Sequence, residues 1–382
     1  MAEVATHGDG VSRIDRVIIH NRTIALKRPF VTAVRTAHAI DVLIVEVQDS
    51  DGRSGWGEAP TSWRVTGESP ESVAAAVMGP LKETLVGLST EDPESLSVAM
   101  ERAVIRNSSA RMAVECALYD LAARVAGVPL FQYLDATAAE VRTDMTLSAI
   151  VADSEIDSLC RTASEFANAG FTTLKVKIGA GGDDVKALIA LRQTVGTDVS
   201  LRVDANQAWS PQDAVRVIES FEDADVGVEF VEQPVSRDDV DGLAYVTSRV
   251  ETPIMADEAV WTRRDLREIV QTHAIDMVNI KLAKSGGLRE ALEMVTLARE
   301  SGVGVIAGCM AESHVGIAAA AALASVIDSS EHVGARPHDL DGGLLLTHSP
   351  VAEGARYDGE RLLLSEMPGT GIVGLSDETI AP

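Results

Sequence analysis

The chain has 382 residues, of which 46% are hydrophobic, and a formal net charge of −25. This length predicts two domains or one large barrel with an appended unit, and the apolar content suffices for a sizeable core. The acidity and the lack of Lys/Arg clusters argue against nucleic acid as a partner, because phosphate contacts need clustered cations. Three scattered cysteines and a start without a secretory pattern predict a cytoplasmic protein with reduced thiols.

The N-terminal third predicts strands followed by helices. Apolar alternation indicates strands at 14–24 and 40–48, and the turn sequence at 49–52 predicts a hairpin into 55–58. Helical periodicity follows. The predicted helices cover 70–87, 92–104 and 108–126. This order of elements predicts an α+β unit that is separate from what comes later.

Beyond residue 143, candidate strands and helices alternate. Strictly alternating units with short loops predict a parallel sheet, and seven or eight of them predict closure into a barrel. The Ala-rich stretch 316–327 is too short to cross a bilayer, so we expect a buried helix and no membrane contact. The candidate strands are 143–150, 173–178, 200–204, 228–232, 254–257, 277–282, 303–307 and 331–335. The candidate helices begin near Asp153, Gly182, Ser210, Arg237, Thr262, Gly287 and Glu312.

Ionisable residues recur at the ends of the central strands at a nearly constant interval. A βα unit of an eight-fold barrel takes about that many residues, so the interval predicts one such residue at the C-terminal end of each strand, where barrel active sites lie. Lys175 shares a face with Lys177 because side chains alternate along a strand. The recurring residues are Lys177, Asp204, Glu232, Asp257 and Lys281, at steps of 27, 28, 25 and 24 residues.

Three converging carboxylates predict a bound cation, since unpaired they would repel one another. An all-oxygen set without His or Cys favours Mg²⁺, with Mn²⁺ next, and we expect one ion per chain. Lys177 and Lys281 lie four strands apart and therefore on opposite sides of the mouth. A cation between two opposed lysines suits removal of a proton next to a carboxylate, through an enediolate, with its return to the opposite face. The alternative is that the carboxylates only pair with the lysines and Arg202.

The motifs K-x-K, D-x-N, V-E-Q-P, A-D-E and N-I-K-L-x-K-x-G-G occur in this order between about 173 and 343. Together they resemble the muconate-lactonizing-enzyme subgroup of the enolase superfamily. The resemblance implies a modified TIM (β/α)7β barrel over 136–341, with an N-terminal α+β capping domain over 1–135 that the segment 342–382 completes. It also implies site roles. By it, Asp204, Glu232 and Asp257 bind Mg²⁺, Lys177 and Lys281 are the acid/base pair, Lys175 is their electrostatic neighbour, and Asn206 and Glu258 support the metal ligands.

Within the subgroup, the choice of substrate depends on residues outside that set. Asp339 and Asp341 form an Asp-x-Asp, which is either a capped turn or a receptor for a cation such as a dipeptide's ammonium group. The resemblance to dipeptide epimerases favours the receptor. Arg35, in a T-A-x-R-T context, is expected to hold a substrate side-chain carboxylate, with Arg64 as its competitor. Met310 is either part of the substrate wall or part of the core.

The sequence therefore predicts an Mg²⁺-dependent epimerase of dipeptides such as L-Ala-L-Glu, which acts at the α-carbon of the C-terminal residue. Peptides from peptidoglycan would be its substrates, and the resemblance leaves a homo-oligomer open. One alternative is an N-acylamino acid racemase or o-succinylbenzoate synthase. The alternative of another class is a barrel without catalysis that only binds a ligand.

Overall fold

The computed structural model describes residues 12–33, 36–329 and 336–380. An antiparallel sheet of order β1-β2-β3 and a layer of helices form the N-terminal unit. Its strands are β1 (Ile14–Val31), β2 (Thr36–Asp49) and β3 (Ser54–Pro60), and its helices are α1 (Pro70–Ala76), α2 (Lys82–Leu85), α3 (Pro93–Ala103) and α4 (Ser108–Ala126). A short helix, α5 (Leu130–Tyr133), leads out of this unit.

Two features of this unit differ from the expectation. β1 continues beyond residue 24 to Val31, because its pairing with β2, interrupted by an irregularity between Ala25 and Phe30, resumes at Phe30 and Val31. The single helix expected over 70–87 is broken into α1 and α2 by a π-helical turn, where Gly79 leaves helical geometry and Pro80 cannot donate a backbone hydrogen bond.

The sheet and helix layers of this unit approach closely. A Cβ atom on Gly57 would lie 2.0 Å from the carbonyl oxygen of Ala113, so α4 crosses β3 at a distance that only glycine permits. The apolar residues between the two layers form a core of their own.

The second unit is an incomplete ring of parallel strands inside a ring of helices. Its seven-stranded sheet has the order β11-β10-β9-β8-β7-β6-β5, so consecutive strands are neighbours throughout. After the edge strand β4 (Glu140–Arg142), the barrel strands are β5 (Met145–Leu147), β6 (Thr173–Lys177), β7 (Ser200–Asp204), β8 (Val228–Glu232), β9 (Ile254–Ala256), β10 (Met277–Lys281) and β11 (Gly304–Gly308). The helices are α6 (Ile156–Asn168), α7 (Asp184–Val195), α8 (Pro211–Asp223), α9 (Val240–Thr247), α10 (Arg263–Gln271), α11 (Leu282–Ser285), α12 (Leu288–Glu300) and α13 (His314–Ser329).

Two residues close this ring. His338 bridges to Thr143 on one side, and Asp339 bridges to Gly308 on the other, both in parallel. Hydrogen bonds from the Asp339 amide to the Ala307 carbonyl (3.0 Å) and from the Asp144 amide to the His338 carbonyl (2.8 Å) hold the closure. The eighth strand expected at 331–335 falls outside the described residues. The barrel fold is confirmed, and this two-residue closing segment takes the place of the eighth strand in the described chain.

The inside of the barrel is layered. Residues two apart on a strand face the same way, so Phe230 lies below Glu232 and Met277 below Asn279 and Lys281. Phe230, Met255, Met277 and Ile306 form a small buried core of their own. The ionisable side chains therefore stand on an apolar floor.

The C-terminal segment packs on both units, since residues 361–363 pair with the edge strand β4 and other parts pack on the first sheet. Leu346 bridges to Leu26, and Val351 and Ile372 share a buried cluster with Ile44 and other side chains of β1 to β3. Its strands are β12 (Ser349–Val351), β13 (Arg356–Asp358), β14 (Arg361–Leu363) and β15 (Leu375–Ile380). Among the described residues, no helix combines the length and apolarity needed to span a membrane.

Candidate active site

Lys177 and Lys281 end strands β6 and β10. These strands are four positions apart in the sheet, which in an eight-membered ring puts them on opposite sides. The Lys177 ammonium contacts the Asp204 carboxylate at the end of β7. The Lys281 ammonium lies 2.8 Å from Asp257 Oδ2 and 3.7 Å from Asp339 Oδ2. Each lysine therefore faces a carboxylate of a different strand.

Lys175 lies at the centre of the charge network and is 1% exposed. Its Nζ atom is 2.6 Å from Glu232 Oε2, 2.8 Å from Asp339 Oδ2 and 3.2 Å from Asp204 Oδ2. Asn279 reaches the same carboxylates from β10, since its amide donates to Glu232 Oε1 and Asp339 Oδ2, both at 3.0 Å. One ammonium and one amide thus connect four strands, β6, β7, β8 and β10, with the closing segment.

Asp257 follows β9 and has a second cationic partner. Lys284 Nζ lies 2.6 Å from Asp257 Oδ1 and also donates to the Asn279 carbonyl at 3.0 Å. Gln233 holds the backbone of the same turn, because its Oε1 accepts from the amides of Asp257 and Ala259, both at 3.0 Å. Lys284, the second lysine of the N-I-K-L-x-K-x-G-G motif, therefore contacts a predicted metal ligand directly.

Burial and neighbouring charges shift the carboxylate pKa values in opposite directions. Burial and the nearby Asp204 raise the pKa of Glu232 to about 8. Burial also disfavours the charged form of Asp257, but Lys281 and Lys284 outweigh it and hold its pKa well below the usual range. Lys177 and Lys175 likewise lower the pKa of Asp204 against the effect of burial. The site therefore favours the ionised form of Asp204 and Asp257 and disfavours the ionised form of Glu232.

The same carboxylates affect the lysines. Burial lowers the pKa of Lys281, but Asp257 and Asp339 outweigh it and raise that pKa well above the usual value. In the folded chain the nearest groups around Lys281 are carboxylates, which stabilise its protonated form.

The residues fit a divalent cation. Asp204, Glu232 and Asp257 offer buried carboxylate oxygens from adjacent strands, without His or Cys. Asn206 adopts left-handed backbone geometry (φ 43°) just after β7, and its amide donates to Glu258 Oε1 at 3.2 Å. Asn206 Oδ1 and Glu258 Oε2 are buried without hydrogen-bond partners. Such unsatisfied oxygens are expected around an ion or its water ligands.

A second group of carboxylates lies at the closure of the ring. Asp144, Asp339 and Asp341 each present an oxygen, and these three oxygens all lie within 4.8 Å of one another. Asp341 Oδ2 accepts from the Thr146 amide at 2.7 Å. Arg202, which might have neutralised the predicted metal ligands, instead pairs with Asp144 at 2.9 Å and Glu229 at 2.8 Å.

One cavity of about 140 Å³ is lined by some of these groups, but not by Asp204, Glu232, Lys175 or Asp144. Its lining includes side chains from three barrel strands, the closing segment and the first sheet. Among them are Lys177, Lys281, Asn206, Asp257, Glu258, Asp339, Asp341, Cys309, Met310, Phe30, Thr32 and Val65. Met310 therefore lies at the cavity wall.

A larger cavity of about 650 Å³ lies between β1, β5 and α6. It shares Phe30, Thr146 and Leu345 with the smaller cavity but contains neither lysine and none of the carboxylates discussed above. The chemistry, and not the volume, identifies the smaller cavity as the candidate site.

Arg35 lies outside the described residues. Its described neighbours Thr32 and Ala37 line the cavity. Arg64 is exposed and is not among the lining residues. No catalytic or binding role was predicted for Asn279, Gln233 or Asp144. The only local signal for Asn279 was its position two residues before Lys281, which puts it on the same face of β10.

Two family models match the chain. The model described as mandelate racemase / muconate lactonizing enzyme, N-terminal domain, matches residues 14–134, and the model described as enolase C-terminal domain-like matches residues 158–377. The two matches cover the first sheet with its helices, and the barrel with most of the C-terminal segment.

Individual proteins match over nearly the whole chain. The L-Ala-D/L-Glu epimerase of Clostridium acetobutylicum is 34% identical over 95% of this chain and 99% of its own length. The substrate-liganded structure of the L-Ala-D/L-Glu epimerase from Bacillus subtilis is 38% identical, covers 95% of this chain and 99% of that chain, and has a TM-score of 0.89. The dipeptide epimerase from Enterococcus faecalis, solved with Mg and the dipeptide L-Leu-L-Tyr, is 36% identical over 94% and 99%, with a TM-score of 0.86.

Proposed function

The chain belongs to the mandelate racemase / muconate lactonizing enzyme family, with an enolase C-terminal domain-like barrel, and from this premise we propose that it is a dipeptide epimerase. It inverts the α-carbon of the C-terminal residue by moving one proton between two bases. L-Ala-L-Glu and similar dipeptides with an acidic C-terminal residue are the first substrates to test. The relatives named for L-Ala-D/L-Glu support this choice.

The observation that carries the proposal is the position of two lysines on opposite sides of one small cavity. Lys177 and Lys281 both line it, from strands four apart. A carbon atom held between the two side chains loses its proton to the lysine that is a neutral amine and receives a proton on the opposite face from the other lysine, which is protonated. Inversion follows from this geometry, because the two bases approach from opposite sides.

Asp204, Glu232 and Asp257 would hold the cation, supported by Asn206 and Glu258. When bound, an Mg²⁺ ion supplies positive charge beside the substrate carboxylate and so makes the adjacent C–H more acidic. Mn²⁺ satisfies the same oxygen ligands, and one ion per chain is expected. Lys175 remains paired with Glu232 and Asp339 and keeps their charge balanced within the barrel.

Asp339 and Asp341 would bind the substrate's N-terminal ammonium group. Both line the cavity; Asp339 belongs to the closing segment, and Asp341 follows it by two residues. Arg35 would hold the side-chain carboxylate of the second residue from the hairpin tip, and Met310 would contact the substrate at the wall. Cap residues such as Phe30 and Val65 exclude water from the reacting carbon.

The proposed function is tested by incubating the protein with Mg²⁺ and pooled L,L-dipeptides in D₂O. A gain of one mass unit at the C-terminal α-carbon, together with appearance of the L,D epimer, is the expected result. Lys281→Met is the matched control, since it removes one base while keeping a side chain of similar length. Exchange only in N-acylamino acids would favour the racemase alternative, and no exchange in any carboxylate substrate would favour a barrel that only binds a ligand.

A cytoplasmic location, assembly into a homo-oligomer and substrates derived from peptidoglycan remain predictions of this proposal. Separation by size with light scattering tests the assembly. Growth on murein-derived dipeptides of a strain with and without the gene tests the metabolic role.

A further inference from the structure

Resting on the proposed function, we infer that Asp144 joins Asp339 and Asp341 in a three-carboxylate receptor, which binds all three N–H groups of a primary ammonium. The substrate class is thereby restricted to dipeptides whose first residue has a free primary amine. Asp144 is a further substrate-binding residue, contributed by the stretch that precedes β5.

The geometry of the three oxygens matches an ammonium group. Three points that all lie within 4.8 Å of one another have a common centre no more than about 2.8 Å from each, which is the length of a charge-assisted N–H···O hydrogen bond. A nitrogen at that centre would direct one N–H to each carboxylate. Asp144 gives the third N–H of a buried ammonium its own carboxylate acceptor, so that neither of the other carboxylates has to accept two of the three N–H groups.

Asp144 has the free acceptor that this arrangement needs. It is fully buried, and its Oδ2 is held by Arg202 at 2.9 Å. Its Oδ1 is buried without a hydrogen-bond partner. Because the guanidinium occupies one oxygen, the other remains available to a ligand, and an unsatisfied buried carboxylate oxygen is otherwise unfavourable.

The other two carboxylates are fixed in place by the protein. Lys175 and Asn279 hold Asp339 Oδ2, and the Thr146 amide holds Asp341 Oδ2. The Thr146 side chain also bonds to Asp341. Asp339 and Asp341 line the cavity, and Asp144, which does not line it, is buried with one oxygen within 4.8 Å of an oxygen of each. A ligand nitrogen that binds between these three oxygens therefore contacts Asp144.

This receptor discriminates by the number of N–H groups. A secondary ammonium, as in N-methyl-alanyl or prolyl dipeptides, has only two and cannot satisfy three acceptors in any orientation. With two carboxylates alone, one orientation would satisfy both and place the methyl group where the third hydrogen had been. We therefore expect the wild-type protein to epimerise N-methyl-L-Ala-L-Glu roughly 10- to 100-fold less efficiently than L-Ala-L-Glu in kcat/KM, the loss of one charge-assisted hydrogen bond.

The experiment measures kcat/KM for both dipeptides with the Mg²⁺-loaded wild type, Asp144→Asn and Glu229→Gln. Asp144→Asn should lower kcat/KM for the primary amine and bring the ratio between the two substrates close to one. Glu229→Gln is the matched control, since it also removes a carboxylate from Arg202 but lies outside the three-carboxylate group. It should leave the ratio as in the wild type.

Several results would overturn the inference. They are equal use of both substrates by the wild type, an unchanged ratio in a folded Asp144→Asn variant, and the same fall of the ratio in Glu229→Gln. A second bound Mg²⁺ per chain that Asp144→Asn removes would assign the group to a metal instead. If Asp144→Asn does not fold, the ratio of kcat/KM for the two dipeptides with the wild type still tests the inference. Absence of exchange with every dipeptide would overturn the proposed function as well, whereas exchange without discrimination overturns only the role of Asp144.

Discussion

Two regions of this molecule bury carboxylates and use them differently. At the mouth of the barrel, Asp204, Glu232 and Asp257 face lysine ammonium groups. At the seam, where the first unit meets the starts of α12 and α13, the carboxylates of Glu58 and Glu115 face backbone amides. Glu58 accepts from the Ser313 amide at 2.7 Å and the Gly316 amide at 3.1 Å, and Glu115 accepts from the Arg289 amide at 2.8 Å.

The carboxylates of both regions are buried, and they differ in the groups that they contact. A lysine can release its proton and move to a ligand, so a carboxylate that it neutralises can change partners. A backbone amide at a helix start can do neither, and the carboxylate there fixes a helix in place. Buried carboxylates with lysine partners and unsatisfied neighbours thus indicate chemistry, whereas those bonded to helix amides indicate architecture.

The largest effect is expected from removing a base at the mouth. Lys281→Met and Lys177→Met should each lower epimerisation about 10³-fold or more, because inversion needs both lysines. Each variant should still exchange the α-proton of one epimer with D₂O, using the lysine that remains. Mass spectrometry of both epimers checks this, and exchange of both by a single-lysine variant would contradict the two-base assignment.

Substitution of a metal ligand should remove Mg²⁺ binding without lowering the stability of the metal-free protein. Excess Mg²⁺ should raise the melting temperature of the wild type, since a ligand at about 100 times its dissociation constant adds about 2.7 kcal/mol. Glu232→Gln should lose this response while remaining about as stable as the metal-free wild type, because burial and Asp204 already disfavour the charged form of Glu232. Thermal unfolding with Mg²⁺ and with EDTA measures both. A full Mg²⁺ response in the variant would remove Glu232 from the ligand set.

At the seam, substitutions should affect stability more than activity. Glu58→Ala leaves the amides of Ser313 and Gly316 without their acceptor and should lower the free energy of unfolding by about 2–4 kcal/mol. Glu58→Gln, which retains an acceptor oxygen, should cost less. Urea unfolding gives these values. A Glu58→Ala variant with native stability and no activity would place Glu58 in the chemistry instead.

The smallest effect concerns pH. Burial raises the pKa of Glu115 from 4.5 to about 7, against the bond from the Arg289 amide. Between these values the folded chain holds a proton that the unfolded chain has lost, so the contribution of Glu115 to stability falls as pH rises from about 4.5 to 7.

Glu115→Gln removes this dependence. Relative to the wild type, it should gain about 1–3 kcal/mol across that interval. Urea unfolding at pH 5 and pH 7.5 measures the difference between the two proteins. A difference that stays constant with pH would show that Glu115 titrates normally.

Much of the barrel could be predicted because its signals are local. Strand and helix periods repeat over a few residues, and helix starts such as Ser210 and Thr262 have a side chain that accepts from the third residue of the helix. Pro80, directly after Gly79, marked the break in the first helix, but the predicted helix over 70–87 ran through it. The closing segment is two residues long, too short to have any periodicity, so it could not be found from the pattern.

By itself, the sequence determined which residues stand at the strand ends and which side of each strand they face. The alternation of side chains and the interval of about 25 residues are properties of the chain, and they hold before any two strands meet. The tertiary structure decided the partners. Lys175 meets Asp339, 164 residues away, and Arg202 meets Asp144 instead of a metal ligand, because closure of the ring sets these distances. Electrostatic interactions depend on distance in space, and spacing along a chain does not fix that distance until the barrel closes.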